Sequence, residues 1–262
     1  MAPDQTPFAQ PETEAGGSAL REGGERSLLP AHTDWSLLPP FVPPRGLTLC
    51  VAAGLVLFAL VAWIAVGVHL AHLRQLHLQL SGAAVGALPL RQVSSMLRIA
   101  QGVEVSVFGV NFLAFVAWLY RLRANLRALG VRKLALGRHW SVLGFLIPAV
   151  NFVLPYQVIA EVWRASDPSV VDPFEWKFVE PPRILALWWM TFVMAVTLEL
   201  AAFGLSQTAG VIALKSLVAS VVAVLADAMT AVSASLAYFV VTRLSAAQTA
   251  KYQRLQDEWA RS

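Results

Sequence analysis

Long apolar runs divide the second part of the chain. Residues 46–73 contain no Asp, Glu, Lys or Arg, and a helix needs about 20 apolar residues to cross a bilayer. We therefore predict a first transmembrane helix at residues 47–69. The same pattern predicts three further spans, at 99–120, 184–205 and 212–241, with a membrane domain over 46–243 and a polar, helical tail at 244–262.

The segment before the first span has a different composition. Residues 1–45 contain eight of the fifteen prolines, with glycines and acidic residues between them. Such a composition buries too little apolar surface to offset the entropy lost on ordering. We therefore predict a disordered leader over residues 1–45.

The segment at residues 139–165 allows two interpretations. It is long enough to cross, but Pro148, Asn151 and Pro155 are poorly suited to a continuous lipid-facing helix. With four spans and both termini in the cytoplasm, sixteen Lys and Arg residues lie inside and three outside, whereas five spans place nine inside and ten outside. Because basic residues concentrate in cytoplasmic segments, we predict four spans with a Pro-kinked re-entrant or interfacial helical hairpin at 139–165.

The composition agrees with an all-α integral membrane protein. Hydrophobic residues make up 57% of the chain and charged residues only 14%, against about 25% charged in a soluble domain. The lone Cys50 excludes an intramolecular disulfide. The net charge is +4, and the basic residues that produce it flank apolar runs as topology signals do. We expect no cleavable signal peptide, because the first apolar run begins only at Leu47.

Several polar residues interrupt the predicted spans. A charge at the centre of a membrane helix costs about 2.5–3.5 kcal/mol, so such residues need partners. Lys215 could pair with Glu104 or Glu199, either as a structural ion pair or at the entrance of a proton relay, whereas no partner for Asp227 is identifiable. The predicted intramembrane polar network is Glu104, Asn111, Glu199, Lys215 and Asp227.

One stripe of residues connects this network with the segment that follows the second span. Glu104, Asn111, Trp118 and Asn125 recur every seven residues, so they lie on nearly the same helix face. Buried carboxyl and amide groups require partners. We therefore expect this face to contact protein rather than lipid.

Two stretches carry a family resemblance. They are Trp118–Gly130, which includes Arg121 and Asn125, and Gly144–Pro168, where a Pro-x-x-Asn-x-x-x-Pro core leads into Trp-Arg-Ala-Ser-Asp-Pro. Over roughly residues 45–250 the chain resembles the bacterial membrane family known as domain of unknown function 4328, with Leu154 where relatives often carry a basic residue. The resemblance implies a multi-span protein of the bacterial cytoplasmic membrane and supplies no reaction.

The hairpin and the basic residues before it form a candidate contact surface for anionic lipid headgroups or a membrane protein partner. Glu161 and Arg164, three residues apart on one helix, could pair. The alternative role is that of a topology signal and interfacial anchor. The residues of this predicted surface are Arg121, Asn125, Pro148, Asn151, Pro155, Tyr156, Gln157, Glu161, Trp163 and Arg164.

Catalytic and metal-binding motifs are not found in the sequence. His69, His72 and His77 lie where the first span ends, and we interpret them as interfacial residues rather than metal ligands. We expect no cofactor, no nucleic acid partner and no enzymatic activity. The first hypothesis is a non-enzymatic scaffold or interaction module acting through the hairpin surface; the alternative is a small transporter or proton-coupled channel that uses the intramembrane carboxylates.

Overall fold

The structure is a computed structural model, and every element in its described part is helical. It describes residues 39–82, 90–131, 134–137, 140–146, 152–170, 172, 175–208 and 213–261. Almost all of the predicted leader, together with Pro148 and Asn151, lies outside these residues.

Six α-helices and one short 3-10 helix make up the described part of the chain. In order they are α1 (Arg45–Leu80), α2 (Leu90–Asn125), α3 (Trp140–Leu146), α4 (Leu154–Ala165), the 3-10 helix Glu175–Phe178, α5 (Arg183–Thr208) and α6 (Ala213–Trp259).

Four of these helices, α1, α2, α5 and α6, are long and apolar enough to cross a membrane. The prediction of four spans is therefore confirmed for the described residues, and α3 and α4, with 7 and 12 residues, are too short to cross alone. The helices extend beyond the predicted spans: α1 continues to Leu80, and α6 runs unbroken for 47 residues through the predicted tail. We call the end that carries Arg45, Arg121 and Arg183 the basic end of the bundle.

The spanning helices form an open arc rather than a closed ring. α1 packs against α2 and α6, and α6 packs against α5, which gives the order α2, α1, α6, α5. α2 and α5 share no extensive contact along their described lengths. A cleft therefore separates the two outer helices of the arc.

Small residues allow the central helices to approach closely. Ala62 and Ala65 of α1 and Ala226 and Ala231 of α6 are fully buried, as expected where backbones lie near each other in a membrane bundle. Gly54 of α1 meets the side-chain amide of Asn111 on α2, and a β-carbon at Gly54 would collide with it.

α3 and α4 close the cleft toward the basic end. Phe145 of α3 contacts the rings of Phe112 and Phe115, and Phe115 also contacts Trp188 of α5 at a centroid distance of 6.0 Å. Pro155 is in the first turn of α4, where proline is well tolerated, so it begins a helix and does not kink one. Pro148, the other proline of the predicted kink, lies outside the described residues.

A candidate ion site between the spanning helices

A cavity of about 660 Å³ occupies the cleft between α2 and α5. Its walls are largely apolar and include Phe108 of α2 and Phe192 and Phe203 of α5. α1 and α6 provide its base, where α6 contributes the hydroxyl groups of Ser220, Thr230 and Ser233. The size lies within the range of about 300–1,000 Å³ that is usual for small-molecule sites.

Each of the four spanning helices contributes at least one ionisable side chain to this cavity. Four of them are His69 of α1, Glu104 of α2, Glu199 of α5 and Asp227 of α6, and His72 of α1 also lines the cavity. One oxygen from each of the three carboxyl groups lies within 4.8 Å of the others. We call these four residues the carboxylate–histidine cluster.

His69 and Asp227 form the most deeply buried pair of the cluster. Nδ1 of His69 donates to Oδ2 of Asp227 over 2.7 Å, and the two residues are 7% and 1% exposed. A protonated histidine next to an ionised aspartate forms a net neutral pair. The hydrogen bond thereby supplies Asp227 with the partner that we could not identify from the sequence.

Glu104 and Glu199 project from opposite walls of the cleft and are half-buried. Oε1 of Glu104 is fully enclosed and accepts no hydrogen bond from a described residue. Two carboxylates held close together in a medium of low dielectric constant repel each other strongly. This arrangement favours a shared proton or a bound cation, and the three carboxyl groups could also supply oxygen ligands to a metal ion.

The other two members of the predicted network lie elsewhere. Asn111 is buried against Gly54, on the α1 side of α2. Lys215 is exposed. Among the described residues, the basic group that pairs with a carboxylate of the cluster is His69, which contacts Asp227. The expected pairing of Lys215 with Glu104 or Glu199 is therefore wrong, because Lys215 lies in the first turn of α6, about 18 Å along the helix from Asp227.

At the basic end, part of the predicted contact surface is buried in a network of its own. Glu161 of α4 pairs with Arg123 of α2, with Oε2 and Nη2 separated by 2.8 Å. Arg123 also donates to the Leu136 carbonyl, and Glu161 accepts from the Ala135 backbone N–H. The expected Glu161–Arg164 pair is thus wrong, because Arg123 reaches Glu161 from the neighbouring helix.

Asn125 joins three segments at the same end. Its amide donates to the carbonyl of Val42 over 2.8 Å and accepts from the Val42 N–H, and it also donates to Gln248 of α6. Gln248 in turn donates to the Leu122 carbonyl and to Ser166. Asn125 and Gln248 are therefore structural groups that hold α2, α6 and the start of the described chain together.

Lys251 completes this network where α6 has passed beyond its apolar part. Its Nζ donates to the Ala165 carbonyl at the end of α4 over 2.9 Å. Burial lowers the pKa of the Lys251 ammonium to about 8, and the nearby Asp167 carboxylate only partly opposes this effect. The buried Lys251 side chain therefore connects α6 to the end of α4 by a hydrogen bond.

The remaining residues of the predicted surface differ in exposure. Gln157 is exposed, whereas Arg121, Tyr156, Trp163 and Arg164 are half-buried and Pro155 is buried. Pro148 and Asn151 lie outside the described residues. The part of the surface that solvent or lipid can reach is therefore smaller than the sequence predicts.

Three residues of these networks, His69, Gln248 and Lys251, are not predicted from the sequence to belong to them. The signal for His69 is its spacing: the buried residues of α1 include Leu55, Ala62, Ala65 and His69, which follow one another at helical intervals of three, four or seven. Gln248 and Lys251 are likewise three residues apart, as neighbours on one helix face are.

Comparison with known proteins supports the resemblance noted in the sequence. No curated protein and no solved structure matches the chain. The family model described as a domain of unknown function, DUF4328, matches residues 81–246, a range that contains α2 to α5 and most of α6 and leaves α1 with His69 outside. Because this match covers well over half of its length, the chain belongs to the DUF4328 family.

Proposed function

We propose that this protein is a small membrane transporter that binds a proton or a cation at the carboxylate–histidine cluster. The observation that carries this proposal is that each spanning helix contributes at least one ionisable group to one cavity. Charged groups in membrane helices cost about 2.5–3.5 kcal/mol each, and four independent helices pointing such groups at one space support a ligand-binding role. The proposed activity is non-enzymatic.

The proposed topology places the basic end in the cytoplasm of a bacterial cell, with both termini inside. α3 and α4 then form a re-entrant hairpin on the cytoplasmic side, and the cavity opens toward the opposite face. A proton or cation entering from that face reaches Glu104 and Glu199 before the His69–Asp227 pair. Exchange of a cation for a proton at these carboxylates avoids leaving an unneutralised charge in the membrane.

Proton flux into liposomes tests this proposal. Purified protein is reconstituted around a trapped pH-sensitive dye, and a potassium diffusion potential drives protons inward. We expect the wild type to carry a flux that Asp227→Asn and Glu199→Gln reduce to the rate of protein-free liposomes. Glu180→Gln, which alters an exposed carboxylate outside the cavity, is the matched control, and equal flux in all the variants would overturn the proposal.

A second candidate function, a scaffold that contacts lipid or a membrane protein at the basic end, is supported by exposed apolar side chains there. Phe178 is 86% exposed beside Lys177, and Phe152 is 53% exposed. Apolar groups next to cations suit an anionic lipid surface. Thermal unfolding in the presence of added phospholipid tests this second function. We expect anionic phospholipid to stabilise the protein more than zwitterionic phospholipid does, and we expect the double variant Lys177→Gln with Arg121→Gln to lose this difference. Equal stabilisation of the wild type by both lipids would contradict the second function.

A further inference from the structure

The cavity has properties that specify its ligand more narrowly than a proton or a cation in general. We propose, on the basis of the transport function above, that the site binds a hydrophobic organic cation with one positive charge, which enters from the bilayer between α2 and α5. Three observations support this assignment: the lateral cleft, the apolar walls and the charge balance of the cluster.

The cleft gives lipid a direct route to the cavity. α2 and α5 share no extensive contact in the described structure, and three of the residues that line the cavity from these helices are also exposed on the surface of the bundle. Phe108 is 39% exposed, Phe203 65% and Leu200 66%. A ligand dissolved among the lipid chains would meet an apolar entrance on both sides, which favours hydrophobic compounds over hydrated ions.

The walls match the body of such a ligand. Apart from the cluster, Phe58, Phe108 and Phe192 give the cavity broad aromatic surfaces. Aromatic rings attract organic cations through their faces as well as by hydrophobic contact. The volume of about 660 Å³ is sufficient for a ligand with several rings.

The charge balance of the cluster specifies a single positive charge. A protonated His69 neutralises an ionised Asp227 across their hydrogen bond, and His72, the other histidine of the cavity, counts as uncharged in this balance. Glu104 and Glu199 remain, with a buried Glu104 oxygen that accepts no hydrogen bond from a described residue. If the two glutamates hold one proton between them in the resting state, one negative charge remains for the ligand. At low pH a second proton occupies the empty site, and the cation displaces it and releases one proton to water; at higher pH the cation binds to the remaining negative charge without releasing a proton.

Calorimetry of purified full-length protein with tetraphenylphosphonium as the probe tests this inference. We expect saturable binding that is weaker at pH 5 than at pH 8, and release of one proton for each cation at pH 5, measured in two buffers of different ionisation enthalpy. The double variant Glu104→Gln with Glu199→Gln, which has no carboxylate left at these two positions, should weaken binding by about tenfold or more, whereas Glu180→Gln should not change it. Triphenylphosphine oxide, a neutral compound of similar shape, should not bind.

The results that would contradict the proposed ligand class can be told apart from those that would contradict the transport function. The proposed ligand class is overturned if tetraphenylphosphonium does not bind, or if its affinity does not change with pH. The pH series uses only the wild type, so this test remains possible if a variant fails to fold. Displacement of the probe by micromolar Mn²⁺ would instead indicate a divalent metal site. If proton flux into liposomes persists without probe binding, only the ligand class fails; if the flux is also absent, the proposed transport function fails with it.

Discussion

The basic end and the cavity both bury charged side chains, but they do so in opposite ways. At the basic end, Arg123 and Glu161 face each other as unlike charges, and each also bonds to the backbone. In the cavity, Glu104 and Glu199 are like groups, and one carboxyl oxygen of each lies within 4.8 Å of the other. The first arrangement fixes the positions of helices, whereas the second leaves an electrostatic cost that a ligand can relieve. The comparison therefore separates residues that maintain the fold from residues that we propose bind a ligand.

Removing one partner from each region gives the largest expected contrast. Arg123→Ala leaves the buried Glu161 carboxylate without its cation, and breaking such a pair costs about 3–5 kcal/mol of unfolding free energy. Glu104→Gln removes one of several crowded negative charges, so we expect the free energy of unfolding to stay the same or increase. Unfolding in mixed micelles, followed by circular dichroism, measures both changes.

Arg127→Ala serves as the control for this pair, because Arg127 is exposed on the same side of the bundle and should change stability little. Equal destabilisation by Arg123→Ala and Glu104→Gln would show that the cavity cluster also maintains the fold. The distinction between the two regions would then be lost.

An intermediate effect is expected at the contact between α1 and α2, which lies between the two regions. A β-carbon at Gly54 collides with the Asn111 amide, whereas one at Gly67 meets nothing within 4 Å. Gly54→Ala should therefore destabilise the protein by about 1–3 kcal/mol, and Gly67→Ala should be neutral or stabilise it by about 0.5–1 kcal/mol, because alanine favours a helix. Thermal unfolding of the two variants measures the difference, and a neutral Gly54→Ala would contradict the close packing.

Stability at the basic end is also expected to depend on pH. The pKa of Lys251 is about 8 in the folded protein, because burial disfavours the charged form, and 10.5 in the unfolded chain. Between these values the unfolded state binds more protons, so stability rises with pH. Relative to Lys251→Met, the wild type should gain unfolding free energy as the pH increases from 8 to 10.5, measured in denaturant titrations at each pH; parallel profiles would show that Lys251 is not buried as a cation.

Hydropathy was sufficient to predict the number of spanning helices but not their ends. The apolar runs identify where α1, α2, α5 and α6 cross, because only apolar residues enter lipid at low cost. They do not predict that α6 continues from Lys215 to Trp259, since polar residues such as Gln248 and Lys251 extend a helix as well as apolar ones. The end of an apolar run marks a change in surroundings rather than the end of the helix.

The carboxylate–histidine cluster was only partly predictable, for a different reason. The cost of a charge in lipid indicates that Glu104, Glu199 and Asp227 face protein, but it gives no order of helices around the bundle. His69 was interpreted as interfacial because it ends an apolar run, although it continues the buried face of α1. Which helices are neighbours, and at what depth their residues meet, depends on the packing of small residues across several helices.

The unbroken α6 gives the molecule a rigid connection between its two charged regions. Asp227 and Lys251 lie on the same continuous helix, about 36 Å apart along its axis. Because an unbroken helix moves as one body, an axial shift of α6 at Asp227 would displace Gln248 and Lys251 by the same distance. Such a shift would carry a change at the cavity to the opposite end of the protein, where α4 is bonded to α6 and the segment around Val42 is bonded to the neighbouring α2.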